Sequence, residues 1–194
     1  MVSLNVDLSG VNNVLPIYSY AELRTATEDF SPLNKLGQGG FGPVYKGTLA
    51  DEREIAVKKL LVTSPHGESQ FVAEISSIST VQHCNLVKLY GYCIEEERRL
   101  LVYEYLINKS LDQALYGRSD LRLDWATRYN ICLGVSRVLA YFHEESNPRI
   151  IHRDVKASNV LLDINLNPKI SDLGLARLYD DAKANMTTKV GGTM

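Results

Sequence analysis

One run constrains this chain more than any other: Ile151-His152-Arg153-Asp154-Val155-Lys156-Ala157-Ser158-Asn159-Val160-Leu161-Leu162, with Asp172-Leu173-Gly174 thirteen residues beyond Asn159. Asp154 is placed to accept a hydroxyl proton, Lys156 to neutralise a phosphoryl group in transfer, and Asn159 to ligate a metal ion. Asp172 adds a second carboxylate on a glycine turn. Phosphoryl transfer needs this inventory of a positioned nucleophile, cations on the non-bridging oxygens and a divalent metal on hard oxygen ligands. Taken singly, each of these residues reads equally well as a loop hydrogen bond. Their joint order is hard to obtain otherwise.

Upstream, Gly37-Gln38-Gly39-Gly40-Phe41-Gly42-Pro43-Val44 spells G-x-G-x-x-G-x-V. Glycines at this spacing let backbone amides approach a phosphate chain, although a flexible turn fits them as well. A dinucleotide site needs a helix directly after the last glycine. Here strand-like Pro43-Val44-Tyr45-Lys46-Gly47 follows, which favours a β-hairpin lid. In Ile55-Ala56-Val57-Lys58, strand alternation puts Ala56 and Lys58 on one face and Ile55 and Val57 on the other. The small Ala56 leaves room for a flat base, and the Lys58 ammonium can hold phosphate oxygens. A pair such as Lys58 and Lys59 is also commonly surface lysine. Glu74 stands at the rim of an apolar helix face marked by Phe71 and Ile75, where it can meet Lys58 or simply be solvated.

Around these motifs the pattern reads as two halves. Ser19 starts a short docking helix with a capping box to Glu22, and Pro32 ends it. Strands follow at 44–48 and 54–58, with a helix over about 68–80 once Pro65 and Gly67 are passed. Leu86 to Leu89 and Leu100 to Tyr103 read as two more strands. Beyond Asn108 the chain turns helical. A short helix spans Ser110 to Tyr116, and a longer one starts at Asp124 with Ile131, Val135, Val138, Leu139 and Phe142 at helical spacing until Asn147-Pro148. Loops and short strands then lie on that helix. The first sixteen residues have no sustained period and read as a mobile arm.

The ordered set G-x-G-x-x-G-x-V, I-A-V-K, H-R-D-V-K-A-S-N and D-L-G resembles the eukaryotic protein kinase signature. Tyr18-Ser19-Tyr20-Ala21-Glu22-Leu23, Asn34 to Gly47 and Leu101-Val102-Tyr103-Glu104-Tyr105-Leu106 are similar to the kinase domains of plant receptor-like kinases of the leucine-rich-repeat type. The likeness runs from about Pro16 to Met194. It implies an α+β fold with a small antiparallel-sheet lobe carrying one helix and a partial, mainly helical second lobe. Residues 1–33 become an arm and a juxtamembrane-like helix, 34–107 the small lobe and hinge, and 108–194 part of the large lobe.

The same resemblance implies site roles. Leu36, Val44, Ala56 and Leu161 sandwich adenine beneath the Gly37, Gly39 and Gly42 lip. Glu104 and Leu106 offer backbone hinge contacts, with Tyr103 as gatekeeper. Lys58, paired to Glu74, holds the α and β phosphates of ATP, and Asn159 and Asp172 bind Mg2+. Asp154 is the catalytic base and Lys156 the γ-phosphate contact, a lysine that favours serine/threonine over tyrosine specificity. Arg153 places the chain in the class regulated by activation-loop phosphorylation, in which a phosphate on Thr187 or Thr188 would bridge Arg153 and Arg177. The expected partners are a protein substrate and a partner receptor kinase.

Two features depart from the pattern. Leu173 stands where phenylalanine is usual, which implies a modest loss of packing. The chain also stops at Gly191-Gly192-Thr193-Met194, inside the activation segment, where such domains run on for about another hundred residues. A truncated, non-catalytic fragment that binds nucleotide or a partner kinase is therefore the competing reading. Composition excludes other classes. With 21 Lys and Arg against 23 Asp and Glu, the chain lacks the positive surplus of a nucleic-acid-coating or polybasic membrane protein. No apolar run is long enough to span a bilayer. Three cysteines without metal spacing, and no signal peptide, fit a cytoplasmic location or the cytoplasmic face of a plasma-membrane receptor.

Overall fold

The computed structural model describes residues 15–39, 42–61, 65–117 and 120–179. Most of the expected N-terminal arm lies outside these residues, as do Gly40, Phe41, Thr187 and Thr188. The chain divides into two compact units, one from the described residues of 1–79 and 88–105, the other from those of 80–87 and 106–194. Segment 80–87 thus belongs to the second unit, although it lies inside the 34–107 stretch.

The first unit is a five-stranded antiparallel sheet of β1 (Lys35–Gly39), β2 (Gly42–Thr48), β3 (Glu54–Lys59), β4 (Leu89–Glu95) and β5 (Arg98–Glu104). Its order is β1-β2-β3-β5-β4. Strand alternation sorts β3 as its sequence requires: Ile55 and Val57 are fully buried in a cluster with Leu23, Phe30, Leu100 and Val102. Much of that cluster comes from the N-terminal segment. Ser19 Oγ accepts from the Glu22 amide at 3.1 Å and starts α1 (Tyr20–Ala26), whose Leu23 is fully buried. Ser31 then caps a 3-10 turn, Pro32–Asn34.

Two expectations for this unit need correcting. The helix expected from residue 68 begins at Pro65 and runs to Ser79 as α2. Proline suits a first helical turn, where its missing N–H has no intrahelical acceptor. The strand expected at Leu86 to Leu89 instead starts at Leu89 and continues through Gly91 to Glu95. Leu86 makes a bridge to Ile170, and the Val87 N–H donates to the Ile170 carbonyl at 2.9 Å, so both are held by the second unit.

The second unit is built on α4 (Trp125–Ala140), which begins where Asp124 accepts from the Thr127 amide at 2.8 Å and ends in a π-helical turn, Tyr141–Glu145. Ile131, Val138 and Phe142 are buried, with Val135 and Leu139 half-buried beside them. A short α3 (Leu111–Leu115) follows Ser110. Two small antiparallel pairs complete the unit, β6 (Arg149–Ile151) with β9 (Arg177–Tyr179) and β7 (Val160–Leu162) with β8 (Pro168–Ile170). Leu123, Ile131, Val160 and Leu162 form its core cluster. Leu173 is fully buried.

Candidate active site

The predicted site residues fall into two sets, one in each unit. In the first, the register Val44↔Lys58↔Leu101 and Lys46↔Ala56↔Tyr103 puts Val44, Ala56, Lys58 and Tyr103 on one face of the sheet. Lys58 Nζ lies 2.9 Å from Glu74 Oε2, and the two side chains retain 10% and 1% of their exposure. Lys58 is therefore not a surface lysine, nor Glu74 a solvated rim residue. A buried ion pair offsets its desolvation only when further hydrogen bonds satisfy the remaining lone pairs. The Tyr103 hydroxyl supplies one by donating to Glu74 Oε1. The resemblance to the kinase signature gives Tyr103 only the gatekeeper position. The available signal was that β5 alternation points its hydroxyl toward the Lys58 face.

The glycine lip separates into two kinds of position. Gly42 has φ +132°, and a Cβ there would lie 2.0 Å from the Lys59 carbonyl oxygen. The fold itself demands that glycine. A Cβ on Gly37 or Gly39 would meet no atom within 4 Å. Leu36 is half-buried on β1. Glu104 gives its N–H to the Lys88 carbonyl at 3.0 Å and accepts the Lys88 N–H on its carboxylate at 2.7 Å.

In the second unit a single loop gathers the polar run. Asp154 Oδ2 accepts from Lys156 Nζ at 2.8 Å and from Asn159 Nδ2 at 3.0 Å, and Asn159 Nδ2 also donates to the Asp154 carbonyl at 2.9 Å. Asp154 and Asn159 are buried. Beneath them His152 Nδ1 accepts from the Asp154 amide at 3.2 Å, which leaves the proton on Nε2, 3.0 Å from the Ser171 carbonyl that accepts it. Burial lowers the His152 pKa, against upward pulls from that carbonyl and from Asp172 and Asp154. Ser171 in turn bonds the Asn159 carbonyl through its N–H at 2.9 Å and its hydroxyl at 3.1 Å. The strand leading into Asp172 is thereby tied to Asn159. Arg153 and Asp172 both take left-handed backbone conformations, φ 69° and 65°, a strain typical of loops that aim side chains at a reaction centre. Leu106 is buried at the start of this unit, and Leu161 is half-buried on β7.

His152 and Ser171 are supporting residues: His152 lies within the H-R-D motif, whereas nothing in the spacing of Ser171 marks it. The oxygen donors fit a hard divalent cation. The Asn159 amide nitrogen is committed to Asp154, so the Asn159 side-chain oxygen and the Asp172 carboxylate are the hard donors that could hold such a cation. Among the described residues no cluster of three or more His, Cys, Asp or Glu forms an all-protein metal cage.

The protein kinase domain matches residues 30–194. The chain belongs to the protein kinase family. Among its relatives in Arabidopsis thaliana, two probable leucine-rich-repeat receptor-like serine/threonine-protein kinases are 66% and 62% identical over 177 and 188 residues, covering 91% and 97% of this chain. Cold-responsive protein kinase 1 is 52% identical over 192 residues, 97% of this chain. The chain spans 17% and 18% of the two receptor-like relatives and 49% of the third. The five-stranded antiparallel sheet with its helices is the α+β fold of this kinase family. No helix among the described residues is long and apolar enough to cross a membrane.

Proposed function

We propose that this kinase domain transfers the γ-phosphoryl group of ATP to serine or threonine hydroxyls of a protein substrate, on the cytoplasmic side of a receptor-like protein and in concert with a partner receptor kinase. The observation that carries this reading is the Asp154 carboxylate, buried and held by both Lys156 and Asn159 within one loop. A carboxylate so fixed is oriented to take the proton of an attacking hydroxyl. As the new P–O bond forms and the bond to ADP breaks, that proton passes to Asp154, and the Lys156 ammonium offsets charge on the phosphoryl oxygens.

The remaining roles follow the same logic. Lys58, held by Glu74, contacts the α and β phosphates, and the open backbone at Gly37 and Gly39 admits them. In the first unit Leu36, Val44 and Ala56 offer apolar contacts to the adenine, and in the second unit Leu161 does. Leu106 offers a backbone contact to it, and with the Glu104 N–H already given to Lys88, a contact from Glu104 falls to its carbonyl. Asn159 and Asp172 would hold magnesium, which when bound neutralises phosphate charge.

The test is the purified chain with γ-labelled ATP, magnesium and a generic serine/threonine substrate, beside Asp154→Asn. Transfer by the wild type that falls by about 10²- to 10⁴-fold in the variant supports the proposal. Nucleotide binding without transfer in either protein would make the chain a non-catalytic nucleotide binder.

A further inference from the structure

The family match begins at residue 30, yet the core of the first unit begins earlier. Ile17 bridges in parallel to Tyr92 on the outer edge of β4. The Tyr18 N–H donates to the Tyr92 carbonyl at 2.9 Å, and the Tyr92 N–H donates to the Pro16 carbonyl at 3.1 Å. The segment thus covers the open edge of the sheet, then crosses its back through Tyr18, Leu23 and Phe30. Two sheet glycines are matched to it. A Cβ on Gly91 would lie 2.2 Å from the Pro16 carbonyl oxygen, and one on Gly47 would lie 3.1 Å from that of Ala26.

The strap ends in an unusual clasp. Glu28, Asp29 and Phe30 are three successive non-glycine residues with φ of 53°, 60° and 53°, a conformation L side chains disfavour. Surrounding bonds hold it. The Thr27 hydroxyl donates to the Leu23 carbonyl at 2.7 Å and accepts from the Phe30 amide at 3.2 Å. The Arg24 guanidinium grips both oxygens of Asp29, at 2.6 and 3.2 Å.

Two paths lead from the strap to the Lys58–Glu74 pair. Its core residues cluster with Ile55 and Val57, which alternate along β3 with Ala56 and Lys58. Tyr92, whose backbone holds the strap, sets its ring edge-on against Phe71, with centroids 6.1 Å apart. Phe71 lies on α2, three residues before Glu74.

We propose that residues 16–30 form a strained latch that positions the Lys58–Glu74 pair, so that seating the strap raises nucleotide affinity and releasing it lowers affinity. The proposal rests on the nucleotide-binding reading above. Coupling between two sites is reciprocal, whereas a merely structural strap would gain only the protection that ligand binding gives the rest of the first unit.

The test uses the full chain with ATP and magnesium, read by amide hydrogen exchange and by nucleotide titration. Binding is expected to slow exchange across 16–30 by more than it slows exchange in β4 and β5 of the wild type. Gly91→Ala, which displaces the strap at Pro16, is expected to weaken ATP binding by about fivefold or more. Glu28→Gly, which relieves one strained residue, is expected to slow strap exchange and to leave affinity equal or higher. ATP binding that slows strap exchange no more than exchange in β4 and β5, with Gly91→Ala binding like the wild type, overturns the latch. Should the wild type bind no ATP, the kinase reading fails by itself. The latch is then judged by a double-mutant cycle of Glu28→Gly with Glu74→Gln in urea unfolding, where additivity overturns it and coupling supports it.

Discussion

The Tyr103 hydroxyl donates to one oxygen of the Glu74 carboxylate while Lys58 Nζ holds the other at 2.9 Å, so two strands occupy a single buried carboxylate brought by a helix. Tyr103→Phe removes one donor and leaves the charge in place. Hydrogen bonds to charged groups contribute about 1.5–3 kcal/mol, and a loss of that size is expected in urea unfolding. Lys58→Met, which removes the lysine counter-charge from the buried carboxylate, is expected to cost about 3–5 kcal/mol. A Tyr103→Phe protein as stable as the wild type would mean that Glu74 does not depend on the tyrosine hydroxyl.

The lip glycines should separate stability from ligand binding. Gly42→Ala forces a side chain against the Lys59 carbonyl at a φ of +132°, and a loss of about 1–3 kcal/mol or more is expected. Gly37→Ala and Gly39→Ala add a methyl group to open space and should change stability by no more than about 0.5 kcal/mol. Both should still weaken ATP binding if the phosphates approach that backbone. Thermal unfolding with and without ATP reads both effects.

Stability should fall in mildly acidic solution. Burial holds the His152 pKa below its ordinary value of 6.5, so as the pH falls the unfolded chain takes up this proton before the folded one. The contribution is complete above about pH 6.5 and is lost as pH drops toward the folded value, with a slope of at most about 1.4 kcal/mol per pH unit. His83, also lowered by burial, acts in the same direction. The informative quantity is therefore the difference between the wild type and His152→Asn in urea unfolding from pH 7 to 5, where the variant should show the shallower dependence.

Thiol reactivity should divide the three free cysteines. Cys84 and Cys132 are exposed, whereas Cys93 is buried and its thiol is pushed up to about 11, chiefly by burial. At pH 8 an aromatic disulfide reagent is expected to titrate the first two rapidly and Cys93 only after denaturation. Rapid reaction of all three would show that the sheet opens readily at β4.

Much of the local structure was legible because its causes are local. Ser19 and Asp124 start helices through their own side chains, and the alternation of Ile55, Ala56, Val57 and Lys58 assigned their faces correctly. The start of β4 was not legible. Leu86 and Val87 look like strand residues, yet their bonds go to Ile170, eighty-odd residues away. The expected strand ends at Leu89, yet the strand runs on through Gly91, where Pro16 approaches. Pro65 looks like a boundary to be passed, yet it opens the helix.

The sequence alone determined the family and the chemical inventory, because the order of glycine lip, Lys58, Asp154, Asn159 and Asp172 is a chain property that needs no coordinates. It also implied that Lys58 should meet Glu74. Tertiary structure decided which polar atoms are satisfied and by what: Tyr103 on Glu74, Ser171 beneath Asn159 and His152, and the N-terminal strap on Tyr92. Those contacts join residues 19 to 76 positions apart, or 12 in the case of Ser171 and Asn159. Their partners are selected by sheet register and close packing, neither of which leaves a local pattern in the chain.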